Sequence, residues 1–176
     1  MKIRLMLLIA LSSMLFGCSL TTEKFEFSFQ NVKESYPEII EKIEKLERER
    51  IAHVKFPTNI PFEAKDIYFT ADDVVQEGII DIMSFRIYGE DEILHVTTEK
   101  STFEGNIYEE VKLKNGITAS LLEDDDRLIL RWIDKEKEVS YGIMLMPKAE
   151  KEFKYKKRDI LMIANSLVNI RDNDAS

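Results

Sequence analysis

Residues 107–122 read Ile107-Tyr108-Glu109-Glu110-Val111-Lys112-Leu113-Lys114-Asn115-Gly116-Ile117-Thr118-Ala119-Ser120-Leu121-Leu122. Asn115-Gly116 between two β-prone runs is the strongest short hairpin signal a sequence carries, because a type I′ turn takes positive φ at both central positions. It predicts a strand over 107–114 and a return strand over about 117–122. Outward from it the same punctuation repeats. Downstream, Glu123-Asp124-Asp125-Asp126 is a polar turn, Arg127–Ile133 a strand, Asp134–Lys137 a second polar turn and Val139–Met146 a strand. Upstream, Asp66–Thr70, Ile79–Tyr88 and Ile93–Thr98 are rich in β-branched and aromatic residues, with Gly89-Glu90-Asp91 as a turn. Consecutive strands joined by short turns predict a curved antiparallel sheet, a meander of about six strands.

Helical signals flank this region. Ser35-Tyr36-Pro37-Glu38 has the spacing of a capping box, with proline tolerated in the first turn. The helix it opens sets Ile39, Ile40, Ile43, Leu46 and Ile51 on one stripe, and Glu38/Lys42, Glu41/Lys45 and Glu44/Arg48 at i,i+4 on the other. Pro57 and Pro61 end helical structure. From Arg158, Ile160, Leu161, Ile163, Ala164, Leu167 and Val168 form a second stripe. Helices at the two ends of an antiparallel sheet define an α+β class. Phe25-Glu26-Phe27-Ser28-Phe29 alternates as a strand does; its phenylalanines pack on a core or dip into a membrane.

The chain of 176 residues suits one domain, and 44% hydrophobic with 33% charged residues is a globular composition. A formal charge of −8 argues against nucleic acid as a partner, since phosphate binding needs a basic face. A single cysteine excludes an internal disulfide and a thiolate zinc cage. That cysteine, Cys18, follows a short basic start (Lys2, Arg4) and an apolar run from Leu5 to Phe16. The run is shorter than the roughly 20 residues a transmembrane helix needs and has the length of a signal-peptide core.

Leu15-Phe16-Gly17-Cys18 resembles a bacterial lipobox. The resemblance implies cleavage after Gly17, a diacylglyceryl thioether on Cys18, acylation (palmitate) of the new amine, and a place on the outer face of the bacterial cell membrane. The parts would then be a signal peptide over 1–17, a lipidated tether with a first strand over 18–30, one α+β domain over 31–170 and a tail over 171–176. Losing Lys2 and Arg4 with the leader takes the formal charge from −8 to −10. An acidic domain is repelled by an anionic leaflet, so it stands off the bilayer on its tether.

Val54-Lys55-Phe56-Pro57-Thr58-Asn59-Ile60-Pro61-Phe62, Leu128-Ile129-Leu130-Arg131-Trp132, Tyr141-Gly142-Ile143 and Lys157–Leu167 together resemble DUF4367, a family of bacterial extracytoplasmic domains of unknown function. The resemblance spans about residues 50–170. Lys135-Glu136-Lys137 stands where the family has a glycine after its tryptophan strand. Such domains occur as lipoproteins and on the outer side of membrane-bound regulators, and some are similar in outline to lipoprotein-carrier folds. No catalytic residue carries over.

His53 and His95 are the two imidazoles, and neither has a partner at metal-ligand spacing. The acids of 123–126 lack the alternate spacing and glycine of a calcium loop, and Asp72-Asp73 reads as a helix cap or turn. No cofactor motif is present. Phe85, Tyr88, Tyr108, Trp132 and Tyr141 either fill the core or line an apolar concavity for a lipid or peptide. The expectation is therefore a binding or regulatory lipoprotein without catalysis, with an envelope protein or a lipid as partner; the alternative is a carrier of an acyl chain or other apolar ligand.

Overall fold

A computed structural model describes residues 25–74, 80–100 and 108–171. The expected leader, Gly17, Cys18 and most of the tail lie outside the described residues. In chain order the elements begin with β1 (Phe25–Glu26), α1 (Phe29–Ser35), α2 (Pro37–Glu44), α3 (Arg48–Ile51), β2 (Lys55–Pro57) and β3 (Asn59–Ile60). The long strands follow: β4 (Asp66–Val74), β5 (Ile80–Tyr88), β6 (Glu92–Glu99), β7 (Glu109–Lys112), β8 (Thr118–Glu123), β9 (Leu128–Asp134) and β10 (Val139–Pro147). The last elements are α4 (Lys157–Asn165) and β11 (Leu167–Asn169). The class is α+β, built on a seven-stranded antiparallel sheet among the described residues.

The sheet is not one meander. Its order is β4-β5-β6-β10-β9-β8-β7, two meanders joined where β10 pairs with β6 from Ser140↔Glu99 to Pro147↔Glu92. The strand after β6 in sequence therefore lies at the opposite edge of the sheet. Local turn chemistry cannot reveal this, because the joining pair is settled by matching buried rows far apart in sequence. Along β6 every second residue is buried (Leu94, Val96, Thr98), and the same alternation runs through its neighbours.

The decisive hairpin closes differently from expectation. Gly116 alone takes positive φ, at 82°, while Asn115 does not. Gly116 N–H donates to Leu113 O (2.9 Å), and Leu113 N–H to Ile117 O (2.9 Å). This is a turn finished by a left-handed glycine, the bulged type of hairpin. Asn115 contributes through its side chain, whose Oδ1 accepts from Ile117 N–H.

The helical expectations are corrected in three places. Phe29 begins α1 rather than continuing a strand, because the Ser28 hydroxyl caps Gln30 N–H (3.2 Å). The amphipathic helix expected at Ser35-Tyr36-Pro37-Glu38 does open there, with Pro37 in the first turn of α2, but Ser35 is the last residue of α1 rather than a cap, and α2 ends at Glu44, short of Leu46 and Ile51. Leu167 and Val168 leave the helical stripe and pair as β11 with β2. There the Ser166 hydroxyl accepts Asn59 N–H (3.0 Å), tying the end of α4 to the start of β3. Asp72 and Asp73 are neither cap nor turn but part of β4, an edge strand on which charges discourage pairing with other chains. Lys42 of α2 also donates to Phe69 O (3.4 Å) on β4.

All packing elements sit on one face of the sheet: α2 against β4, β2 against β6, and α4 against β9 and β10. Phe29, Phe56, Phe69 and Phe85 form the centre, each buried to 3% exposure or less, with Phe56–Phe85 centroids 5.1 Å apart. Phe25 and Phe27 pack against this core, so the N-terminal alternation serves packing.

A buried acid clamps the segment before α4 to the β5–β6 turn. Glu92 is 5% exposed. Burial alone would raise its pKa, but the Tyr155 hydroxyl (2.6 Å), the Lys154 ammonium (3.0 Å) and Asp91 N–H (3.1 Å) outweigh burial and hold the carboxyl below its usual range. A depressed pKa in the folded state contributes stability above the unfolded-state value and loses it as pH falls through the folded one. Glu92→Gln is therefore expected to lose about 1.5–3 kcal/mol at pH 7, the worth of hydrogen bonds to a charged group. In urea titrations that difference should shrink towards nothing once the wild-type carboxyl protonates. A pH-independent deficit would mean that shape, not charge, makes the clamp.

Candidate functional site

Alternation puts the other half of each strand on the opposite face, where no described element packs. That face is hollowed into a trough of about 710 Å³. Strand register explains the hollow. One row across the sheet runs Thr70, Ser84, Thr97, Gly142, Arg131, Ser120 and Glu110. From Thr70 to the central Gly142 its members are small. A Cβ on Gly142 would fall 2.5 Å from Thr97 Oγ1, so only glycine lets the floor lie this low there. The hydroxyls bond among themselves: Thr70 Oγ1 and Ser84 Oγ are 2.9 Å apart, and Thr97 Oγ1 donates to Gly142 O (3.2 Å).

Larger side chains in the adjacent rows make the walls. On one side stand Arg86, His95, Met144 and Ile129, in register across β5, β6, β10 and β9. On the other stand Asp72, Ile82, Glu99, Ser140 and Ile133. The trough thus mixes cations and acids with aliphatic surface.

His95 is the unusual member. Its Nε2 is buried and has no hydrogen-bond partner. Burial first, then the neighbouring Arg86 charge, holds its pKa below the ordinary histidine value, so the ring is neutral at pH 7. Arg86 is exposed and has no ion-pair partner among the described residues.

The aromatic candidates divide. Phe85 is core; Trp132 and Tyr141 face the helices, stacked at 5.4 Å, with Lys55 over the Tyr141 ring at 5.3 Å. They border a smaller cavity of about 140 Å³ beside Asn165 of α4. Burial, then Asp134, pushes the Tyr141 hydroxyl up to about 12. Tyr108 reaches the rim of the trough, and Tyr88 packs edge-on against Tyr68 at 5.5 Å. His53 lies just past α3, away from the trough-lining set. Of the 123–126 acids, Glu123 ends β8 and the other three form the turn, in which Asp124 and Asp126 pair with Arg127 at 3.5 and 3.6 Å. Among the described residues no group of three His, Cys, Asp or Glu side chains is placed to hold a metal ion, and no helix is long and apolar enough to cross a membrane.

The sequence pointed to the aromatics, of which Tyr108, Trp132 and Tyr141 border the trough, but not to the residues of its floor and walls. Their signal was the small polar residue at alternate strand positions, Ser84, Thr97, Ser120 and Ser140, which become one surface only when register is known. The class these features define is an α+β domain whose helices cover one sheet face and whose other face is a side-chain-lined trough. No family model, curated protein or solved structure matches the chain.

Proposed function

We propose that this protein is a lipid-anchored binding module on the outer face of a bacterial membrane, acting without catalysis and holding an envelope component in the trough of its curved sheet. The single observation behind this reading is the trough of about 710 Å³ on the helix-free sheet face, a volume in the range of small-molecule sites. Its mixed lining suits recognition: aliphatic walls give contact area, and Arg86 and the hydroxyl row give orientation. His95 neighbours Arg86 and Met144 across the strands rather than a nucleophile or a carboxylate, an arrangement for binding rather than acid–base chemistry. The lipobox resemblance supports the anchor, and the resemblance to DUF4367 domains, which occur as lipoproteins, points the same way.

The carrier reading uses the same trough. Ile82, Ile129, Ile133 and Met144 favour it, since they form aliphatic surface on both walls.

A photocrosslinking residue at Thr97, on the trough floor, is expected to acquire one discrete adduct in intact cells. The same residue at Asp125, on the far turn, should acquire none above background. The adduct should be competed by excess of the identified component added to purified protein. Equal labelling at both positions, or none at either, would remove the trough as the binding surface.

A further inference from the structure

Resting on the trough as the binding surface, the order of side chains along one wall names a ligand class. Arg86 and His95 are cross-strand partners, and next on the same wall come Met144 and then Ile129. Charge and polarity thus occupy one end, and aliphatic surface the other. At strand spacings of about 4.8 Å the wall from Arg86 to Ile129 measures about 14 Å.

The polar end lacks partners of its own. Arg86 has no ion-pair partner among the described residues, and His95 Nε2 is buried with none. Below them, Thr70 and Ser84 share one hydrogen bond between two hydroxyls, which leaves one O–H free to donate. The nearest acids are spoken for or distant. Asp66 receives the Tyr68 hydroxyl (2.6 Å) and Ile67 N–H (2.9 Å). Asp72 and Glu99 lie on the opposite wall, four residues along their strands, or about 13 Å away. Arg131, the other arginine in the trough, has an interaction of its own and stands in the floor row between Gly142 and Ser120, two strands from His95.

We infer that the trough takes an anionic amphiphile: a carboxylate or phosphate head seated on Arg86, His95 and the Thr70–Ser84 hydroxyl pair, with an aliphatic chain laid over Met144 and Ile129. The head would complete the buried imidazole and neutralise the arginine. The small floor at Thr97 and Gly142 leaves depth for the chain.

The test uses the full chain in phosphatidylcholine nanodiscs and a decanoate bearing a terminal diazirine, with labelled peptides mapped by mass spectrometry. Label is expected on the β9 and β10 peptides that carry Ile129 and Met144. Arg86→Ala should reduce it about tenfold, equivalent to ~1.4 kcal/mol, and Arg86→Lys should restore part of it. The matching alcohol should label weakly. Unlabelled decanoate and decyl phosphate, used as competitors, tell a carboxylate head from a phosphate one, and displacement by either supports the inference. If the alcohol labels as strongly as the acid, or Arg86→Ala labels like the parent, the anion site is wrong while the trough survives as an apolar site. If no label maps to the trough, the binding surface itself is wrong.

Discussion

Phe85→Ala is expected to destabilise the protein by about 3–5 kcal/mol, the range for deleting a fully buried phenylalanine ring. Against a typical total of about 5–15 kcal/mol, this would leave a substantial unfolded fraction at 37 °C. Position sets the size of this loss. Phe85 is 1% exposed at the middle of β5 and meets three other rings: Phe69 at 4.9 Å, Phe56 at 5.1 Å and Phe29 at 6.2 Å. These come from β4, β2 and α1, so the cluster joins the sheet to the short elements that cover it. Tilted and edge-on pairs such as these add about 0.5–1.5 kcal/mol each beyond their buried area. The surrounding strands are held by ladders on both sides and cannot close over the void, which adds the cavity term. Urea unfolding followed by circular dichroism reads the loss as a lower midpoint at unchanged slope. Phe85→Leu, which keeps most of the volume, should lose less. A loss below about 1 kcal/mol for the alanine variant would mean that the ring cluster does not bind the layers together.

The second large effect concerns attachment. If Cys18 carries the lipid, Cys18→Ser should abolish incorporation of labelled palmitate and block cleavage after Gly17 altogether. A version with an ordinary secretory leader and no cysteine should leave the membrane fraction. Each buried CH₂ is worth about 0.8 kcal/mol, and stable attachment takes two chains or a second signal. A chain cleaved after Gly17 would carry formal charge −10 and offer no electrostatic substitute on an anionic leaflet. A serine variant still clipped at the same peptide bond and still held in the membrane would show that something other than acyl chains holds the protein there.

Elements were easier to read than their arrangement. The strands over 66–74, 80–88, 92–99, 118–123, 128–134 and 139–147 were expected within a few residues, because they are rich in β-branched and aromatic residues and several are separated by turns of Gly, Asn or acidic residues. The N-terminal helix stops at Glu44, short of Leu46 and Ile51, and the C-terminal one stops before Leu167. At Leu167 a local rule met a competitor, the pairing of β11 with β2. Asp72 and Asp73 misled because acidic residues favour turns on propensity, yet an edge strand tolerates them.

Composition and short-range pattern were enough to specify an α+β class, a hairpin at Gly116, buried rows on alternate residues and a lone cysteine behind an apolar run. These depend on neighbours a few residues apart, which interact whatever the rest of the chain does. How the two meanders join was decided only in three dimensions. The pairing of β6 with β10 brings Thr97 against Gly142 and His95 against Met144, residues more than forty positions apart. The trough, its hydroxyl floor and the unsatisfied imidazole follow from that pairing. They belong to the register of the whole sheet, because a surface made of one residue from each of several strands has no footprint in any single stretch of chain.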